Sequence, residues 1–213
     1  MPLTDIKICG LSTPETLDAA VGAGASHVGF VFFARSPRNL HAEQARGLGA
    51  RVPPHVRRVG VFVDPDDALL DSAVASGLDI LQLHGTETPA RFAAVKARYR
   101  LPVWRAAGVA TRADIDAARR AATDADLLLF DAKAPSGATL PGGNGVRFDW
   151  RLLGGVTMSM PWGLSGGLDA LGVGEAVRGC RPPLVDVSSG VEDTPGVKSV
   201  TKIKAFIEAV RAA

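Results

Sequence analysis

The chain has 213 residues, with 24 basic and 22 acidic side chains, so its net charge is only +2. This balance lacks the clustered basic excess of nucleic-acid-binding proteins, and no run of about 18 apolar residues is long enough to span a membrane. The two cysteines, Cys9 and Cys180, form neither a disulfide framework nor a Cys/His metal motif, and residues 1–10 lack a secretory signal. We therefore expect a cytoplasmic protein with no nucleic-acid, membrane or metal partner.

Short apolar runs with strand-like composition recur along the chain. Residues 28–32, 59–63 and 127–130 are almost continuously apolar, which is typical of parallel strands buried on both faces. Successive runs start about 20–35 residues apart, the length of one strand–helix unit. Predicted strands begin near Ile6, His27, Arg57, Ile80, Pro102, Leu127, Pro161 and Pro183.

Helix start signals lie between these strands. Thr13 and Thr88 each precede a proline, which is favoured in the first turn of a helix, and Thr111 begins a capping-box pattern. The predicted helices are residues 14–23, ended by Gly24; a helix opened by Asp64 and Pro65 and running to Gly77; residues 89–99; a helix starting at Thr111; and residues 197–211.

Eight strand–helix units in a chain of this length predict an α/β fold, a single (β/α)8 TIM barrel over residues 1–213. The alternative is an open doubly wound sheet, but no Gly-x-Gly-x-x-Gly turn follows the first strand. In such barrels the reactive side chains lie at the carboxyl ends of the strands. Residues predicted at or after strand ends include Cys9, Arg38, Asp64, His84, Arg105, Asp131 and Asp186.

Small residues follow the last two predicted strands. These are Ser165, Gly166 and Gly167 after the seventh strand, and Ser188, Ser189 and Gly190 after the eighth. The loops in these positions bind phosphate in many barrels, because glycine lets backbone amides approach an anion closely. Tight turning is the simpler explanation for either loop alone. Together they predict a phosphate site.

The ordered set of these segments resembles the phosphoribosylanthranilate isomerase family across the whole chain. The segments that carry the resemblance are Lys7-Ile8-Cys9-Gly10-Leu11, Gly29-Phe30-Val31-Phe32 with Ser36-Pro37-Arg38, Val59-Gly60-Val61-Phe62, Leu81-Gln82-Leu83-His84-Gly85, Phe130-Asp131, Gly142-Gly143-Asn144-Gly145 with Phe148-Asp149-Trp150, Leu164-Ser165-Gly166-Gly167-Leu168, and Asp186-Val187-Ser188-Ser189-Gly190-Val191-Glu192.

The resemblance implies a cofactor-free Amadori rearrangement of an aminoaldose phosphate to an aminoketose in tryptophan biosynthesis. It assigns Cys9 as general base and Asp131 as general acid, and Arg38 as the group that binds the substrate carboxylate. His84 is expected to orient the substrate without titrating, and Asp186 to shape the site. Residues 133–147 are expected to form a mobile lid, with Gly142, Gly143, Asn144 and Gly145 in it.

Two positions depart from the family pattern. Ser199 stands where the family often has aspartate after Pro-Gly-x-Lys, and Asn144 stands where the family often has a small hydroxyl residue. Neither position belongs to the predicted catalytic pair. With no long exposed apolar helix pattern, we expect a monomer.

The assigned chemistry sets requirements on two pKa values. Cys9 must become a thiolate, and Lys7, two residues earlier on the same strand, is expected to favour it because alternate side chains share a face. Asp131 must hold a proton, which burial or a neighbouring negative charge would favour. The competing interpretation of each is structural: an inert buried cysteine, and a loop or capping carboxylate.

The other candidates also have structural interpretations. Arg38 could be an ordinary surface charge, His84 a rim histidine, and Asp186 an anchor. Cys180 is expected to be structural, in the connection before the eighth strand. His27, His41 and His55 are given no role.

Two alternative functions stay open. A histidine-pathway phosphosugar isomerase would resemble this chain but carries aspartate where Cys9 stands, and a barrel that binds a phosphate ligand without catalysis needs neither Cys9 nor Asp131.

Overall fold

The eight predicted strands close into one parallel barrel. A computed structural model describes residues 3–135, 137–138, 140–143, 145–147 and 149–213. Each strand pairs with the next, and the first pairs with the eighth in the register of Ile6 with Val185. The (β/α)8 prediction is confirmed, and the open doubly wound sheet is excluded. The strands are β1 Asp5–Cys9, β2 His27–Phe32, β3 Arg57–Phe62, β4 Ile80–Leu83, β5 Val103–Val109, β6 Leu127–Ala132, β7 Trp162–Leu164 and β8 Leu184–Val187.

The strand side chains form two separate apolar layers. Successive residues of a strand point to opposite faces, so one set fills the barrel and the other packs under the helices. In β6 all six residues are buried, with Leu129 inside the barrel and Leu128 and Phe130 against the outer layer. The polar residues at the strand ends therefore stand on an apolar floor. That floor includes Val59, Ile80, Trp104, Leu127 and Leu184.

Most helices begin where the capping signals predicted. The hydroxyls of Thr13, Thr88 and Thr111 each accept a hydrogen bond from a backbone N–H of the first turn, and Thr111 forms a capping box with Asp114. Gly24 ends the first helix at φ 101°, a conformation that glycine adopts without strain. The helices are α1 Pro14–Ala23, α2 Ala42–Gly49, α3 Asp67–Val74, α4 Pro89–Tyr99, α5 Arg112–Ala121, α6 Val173–Cys180 and α7 Val200–Arg211.

Two helix boundaries differ from the prediction. The helix α3 starts at Asp67, because Asp66 rather than Asp64 supplies the cap: its carboxylate accepts from the Leu69 N–H. Asp64 instead adopts φ 44°, and its carboxylate accepts from the Thr86 backbone. The helix ends at Val74, before the predicted Gly77.

The last helix starts three residues later than predicted. Val197–Lys198 forms a short strand, β10, which pairs antiparallel with β9, Glu192–Thr194. The helix α7 begins only after Ser199, which stands at the capping position without a side-chain capping bond.

Two residues expected at strand or loop positions lie elsewhere. Arg105 is in the middle of β5, not at its end, and its guanidinium lies 3.9 Å over the ring of Phe92 on α4, outside the barrel. Cys180 is the last residue of α6 rather than part of a connection, and its thiol contacts the Ala176 carbonyl at 3.2 Å. Burial raises the pKa of Cys180 to about 11, so it stays a thiol, as a structural cysteine does.

The unit after β6 also lacks the α-helix that the strand–helix repeat predicted. In the described part of residues 133–161 the regular element is one turn of 3₁₀-helix, Trp150–Leu153, which is capped by Asp149. None of the helices in the described ranges is long and apolar enough to cross a membrane.

Candidate active site

One cavity at the carboxyl ends of the strands collects every predicted site residue that the structure describes. Because β1 and β8 pair in parallel, Lys7 lies opposite Asp186, and Cys9 follows two residues later on the same face. Asn144 lies outside the described residues. The cavity is lined by Cys9, Arg38, His84, Asp131 and Asp186, by Gly142, Gly143 and Gly145, and by Ser165, Gly166, Gly167, Ser188, Ser189 and Gly190.

Cys9 ends β1 and is 6% exposed. Burial raises the pKa of its thiol, and the ammonium groups of Lys7 and Lys198, which favour the thiolate, do not outweigh that effect. Lys7 thus favours the thiolate as expected, but burial has the larger effect on the pKa of Cys9. Lys7 is fully buried, with its Nζ 2.9 Å from Asp186 Oδ1. Burial alone would lower the pKa of Lys7, but Asp186 and Cys9 together raise it, so the ammonium stays charged.

Asp131 lies near the end of β6 with its carboxylate in the cavity. Burial, and then the negative charge of Asp186, raise its pKa to about 7, although a hydrogen bond from the Ala132 N–H at 2.7 Å opposes the shift. The carboxyl is therefore partly protonated at neutral pH and can donate a proton. The negative neighbour is Asp186, a source that the sequence analysis did not consider.

His84 faces the same carboxyl group. Its Nε2 lies 3.3 Å from Asp131 Oδ2, without the geometry of a hydrogen bond. Burial lowers the pKa of His84 to about 4, so the imidazole is neutral at pH 7. A neutral ring can donate or accept one hydrogen bond at the substrate, which fits an orienting role better than a titrating one.

Arg38 extends from the loop after β2 and is held by a carboxylate of the protein itself. Its Nε and Nη2 lie 2.7 Å and 2.8 Å from the two oxygens of Glu192, a bidentate pair. Nη2 also donates to the Gly143 carbonyl at 3.3 Å. Nη1 donates to no residue in the described ranges, and a Cβ added to Gly143 would lie 2.8 Å from it. The Nη1 group, with Gly143 beside it, therefore keeps its hydrogen-bond donors available.

The loop after β6 lies over the cavity. A Cβ on Gly142 would lie 2.5 Å from His84 Cε1 and 2.6 Å from Asp131 Oδ2. Real side chains do not approach this closely, so the loop reaches this position only with glycine there. The predicted lid thus contacts the predicted acid directly.

The two small-residue loops stand side by side after β7 and β8. Gly166 and Gly167 have φ 85° and 66°, and a Cβ on Gly166 would collide with the Ala132 backbone nitrogen. A Cβ on Gly190 would collide with the Leu168 carbonyl oxygen. The amides of Gly166 and Gly167 donate to no other residue in the described ranges. Unpaired backbone amides of this kind are suited to binding an anion.

Three cavity or near-cavity residues were missed by the sequence analysis. Gln82 lines the cavity and is 2% exposed. An isolated amide side chain in an otherwise apolar strand could have indicated this position. Glu192 and Lys198 form a buried ion pair of 2.7 Å. Both lie in motifs already quoted, but only the fold shows that β9 and β10 pair them behind Arg38. No cluster of three potential metal ligands occurs among the described residues.

Comparisons with known proteins agree over the whole barrel. A family model described as "PRAI: N-(5'phosphoribosyl)anthranilate (PRA) isomerase" matches residues 6–209. A relative from Paracoccus denitrificans, named N-(5'-phosphoribosyl)anthranilate isomerase, is 56% identical over 203 residues, covering 95% of this chain and 94% of its own. The crystal structure of phosphoribosyl anthranilate isomerase from Thermotoga maritima superimposes with a TM-score of 0.87 at 35% identity, over 99% of this chain and 100% of that one. Another phosphoribosyl anthranilate isomerase, in complex with reduced 1-(o-carboxyphenylamino)-1-deoxyribulose 5-phosphate, gives 0.82 at 33% identity, again over 99% and 100%.

Proposed function

Because the chain belongs to the N-(5'-phosphoribosyl)anthranilate isomerase family, we propose that it converts N-(5'-phosphoribosyl)anthranilate into 1-(2-carboxyphenylamino)-1-deoxyribulose 5-phosphate. This is an aldose–ketose isomerisation, an Amadori rearrangement of tryptophan biosynthesis. The observation that carries the proposal is the placement of Cys9 and Asp131 in one cavity that the small-residue loops after β7 and β8 also line. A family member holds the reduced form of the product.

Asp131 acts first, as the general acid. Its proton goes to the ring oxygen of the furanose, the bond between that oxygen and C1′ breaks, and the nitrogen lone pair forms the C=N bond of a protonated Schiff base. A group that is half protonated near pH 7 is suited to this step, because general acids work best with a pKa near the operating pH. The pKa of Asp131, raised to about 7, meets that condition.

Cys9 acts second, as the general base. Its thiolate removes the proton from C2′, the C–H electrons form a C1′=C2′ bond, and the iminium electrons return to nitrogen. The enolamine then gains a proton at C1′ and releases the hydroxyl proton at C2′ to give the aminoketose. Burial disfavours the thiolate, so the nearby charges of Lys7 and Lys198 are needed to make it accessible.

The remaining groups place the substrate. The phosphate binds the amides of the loops that contain Gly166, Gly167 and Gly190, and the anthranilate carboxylate binds the free Nη1 edge of Arg38. The neutral His84 ring orients the reacting part of the sugar beside Asp131. The loop with Gly142 closes the cavity and keeps water from hydrolysing the Schiff base.

The test supplies phosphoribosylanthranilate, generated in situ, and follows the loss of its fluorescence. We expect turnover by the native protein, and a decrease in kcat of about 100-fold or more in Cys9→Ala and in Asp131→Asn, the usual contribution of one acid or base. Cys180→Ala, which removes the other cysteine at the end of α6, serves as the matched control and should keep its activity. Circular dichroism checks each fold.

Full activity of either site variant would remove the assigned pair. Binding of the substrate without turnover by the native protein would instead support the non-catalytic barrel. Turnover of a histidine-pathway aminoaldose in place of phosphoribosylanthranilate would support the other alternative.

A further inference from the structure

Three charged side chains form a buried chain beside the cavity. Arg38 pairs with both oxygens of Glu192, and Lys198 Nζ lies 2.7 Å from Glu192 Oε1. The side chains of Arg38, Glu192 and Lys198 are 5%, 4% and 1% exposed. Arg38 faces the cavity, whereas Lys198 stands behind the pair and does not line the cavity.

The charges of this cluster do not cancel. Glu192 neutralises one cation, and two are present, so the cluster keeps one net positive charge on side chains that are at most 5% exposed. Without Lys198, Arg38 and Glu192 would be a neutral ion pair. A neutral pair attracts a ligand carboxylate weakly, because the ligand and Glu192 then compete for the same guanidinium.

Resting on the proposed function, we propose that Lys198 is a specificity-determining residue. It neutralises the carboxylate of Glu192, so that the positive charge of Arg38 remains available, at Nη1, for substrates with a carboxylate on the aromatic ring. Lys198 does this without touching the substrate. Glu192 connects the two cations: its carboxylate orients the Arg38 guanidinium, and its negative charge is balanced by Lys198.

Lys198 has a second set of contacts that suggests a different role. Its Nζ donates to the Ser188 carbonyl at 2.8 Å and lies 3.2 Å from the Ser188 hydroxyl, on the loop assigned to phosphate. If Lys198 only supported that loop, its loss would weaken every phosphate-bearing ligand equally. Supplying charge to Arg38 predicts an effect on ligands that carry the carboxylate and little effect on those that lack it.

The experiment measures two dissociation constants by calorimetry, for reduced 1-(o-carboxyphenylamino)-1-deoxyribulose 5-phosphate and for its anilino counterpart without the carboxylate. Both keep the phosphate, and neither measurement requires turnover. The variants are Lys198→Met, which removes the charge, and Lys198→Arg, which keeps it. Asp79→Asn is the matched control, because it breaks a similar bidentate pair with Arg58 at the opposite end of the barrel.

We expect the native protein to prefer the carboxylated ligand, and Lys198→Met to lower that preference by about tenfold or more, the factor that one charged hydrogen-bonding partner typically contributes. Lys198→Arg and Asp79→Asn should keep the preference. Lys198→Met still leaves Arg38 paired with Glu192, so its fold should persist. If it does not fold, Lys198→Gln supplies the measurement, since it also removes the charge while keeping a hydrogen-bond donor for Glu192 and Ser188, and it should lower the preference as Lys198→Met would.

The proposal fails if the native protein shows no preference, or if Lys198→Met weakens both ligands by the same factor. It also fails if a folded Lys198→Met variant binds both ligands as the native protein does. Failure of the proposed function would be distinct: the preference would be present, but phosphoribosylanthranilate would not be turned over.

Discussion

Replacing the proposed acid should stabilise the barrel, and more so at alkaline pH. Asp131 is 6% exposed, and burial together with Asp186 raises its pKa from 3.8 to about 7. In the unfolded chain the carboxyl loses its proton near pH 4, whereas in the folded protein it holds it until about pH 7. The unfolded state therefore binds fewer protons across this window, so folding stability falls as pH rises through it. Asp131→Asn carries no such charge.

The size of the effect follows from the shift. One pKa unit corresponds to about 1.4 kcal/mol. Relative to acid pH, where the Asp131 carboxyl is protonated in both states, the shift therefore costs the folded state about 2 kcal/mol at pH 5, where only the unfolded chain is ionised, and about 4 kcal/mol at pH 8, where both states are ionised. The gain in unfolding free energy should therefore differ by about 2.5 kcal/mol between pH 5 and pH 8. This difference arises from titration alone, since the effect of any change in packing is the same at both pH values. The amide can still accept from the Ala132 N–H and can donate to His84 Nε2, which lies 3.3 Å from the Oδ2 that it replaces.

Urea unfolding at 25 °C measures the free energy of unfolding of the native protein and of Asp131→Asn at pH 5, 6, 7 and 8. The gain should grow from pH 5 to about pH 7 and level off above it, because the carboxyl is then ionised in both states. Asp79→Asn is the opposite control: burial would raise the pKa of Asp79, but its hydrogen bonds from Arg58 together lower it, so this variant should lose stability above pH 4. A gain for Asp131→Asn that is equal at pH 5 and pH 8 would refute the raised pKa, and with it the reason for assigning the acid.

Two further predictions concern other groups with unusual surroundings. Burial lowers the pKa of His27 to about 4, so the unfolded chain takes up a proton before the folded one as pH falls below about 6.5. We expect the contribution of His27 to stability to decline from pH 6.5 towards pH 4, opposite to the contribution of Asp131, so the stability of His27→Gln relative to the native protein should rise over this range in urea titrations; an unchanged difference would contradict it. Gly142→Ala should lower kcat by about tenfold or more without altering the urea midpoint, because a Cβ there would lie within 2.6 Å of His84 and Asp131. Native kcat in this variant would show that the loop need not close over them.

The sequence predicted the barrel well because its signals are local. Each strand is a short apolar run, and the capping threonines Thr13, Thr88 and Thr111 act on backbone amides three residues away. The same reasoning failed at residues 197–199, where the helical pattern competes with pairing to a strand. The hairpin of β9 and β10 forms instead, and it brings Lys198 to Glu192. The helix α2 was not located because His41, rather than serine or threonine, stands at its start.

The position of each predicted side chain at the cavity could be predicted one by one, but the ion pairs between them could not. Arg38 and Glu192 are 154 positions apart, and Lys7 and Asp186 are 179 apart, so only closure of the barrel brings them together. A strand-end rule states which side chains point into the cavity. It gives neither the side chains that satisfy their charges nor the sign of the resulting pKa shift. This is why the influence of Lys7 on Cys9 was foreseen, while burial was considered only as the competing interpretation of an inert cysteine.

Asp186 links the two halves of the proposed chemistry. Its Oδ1 pairs with Lys7, the cation that favours the Cys9 thiolate, and its charge raises the pKa of Asp131. The same charge also raises the pKa of Cys9. Asp186 therefore helps the acid keep its proton while making the base harder to form, and Lys7 offsets the second effect. Burial is the largest cause of both pKa shifts, and the ion pair of Lys7 and Asp186 across β1 and β8 adds to the shift of Asp131 through the charge of Asp186 and opposes the shift of Cys9 through the charge of Lys7.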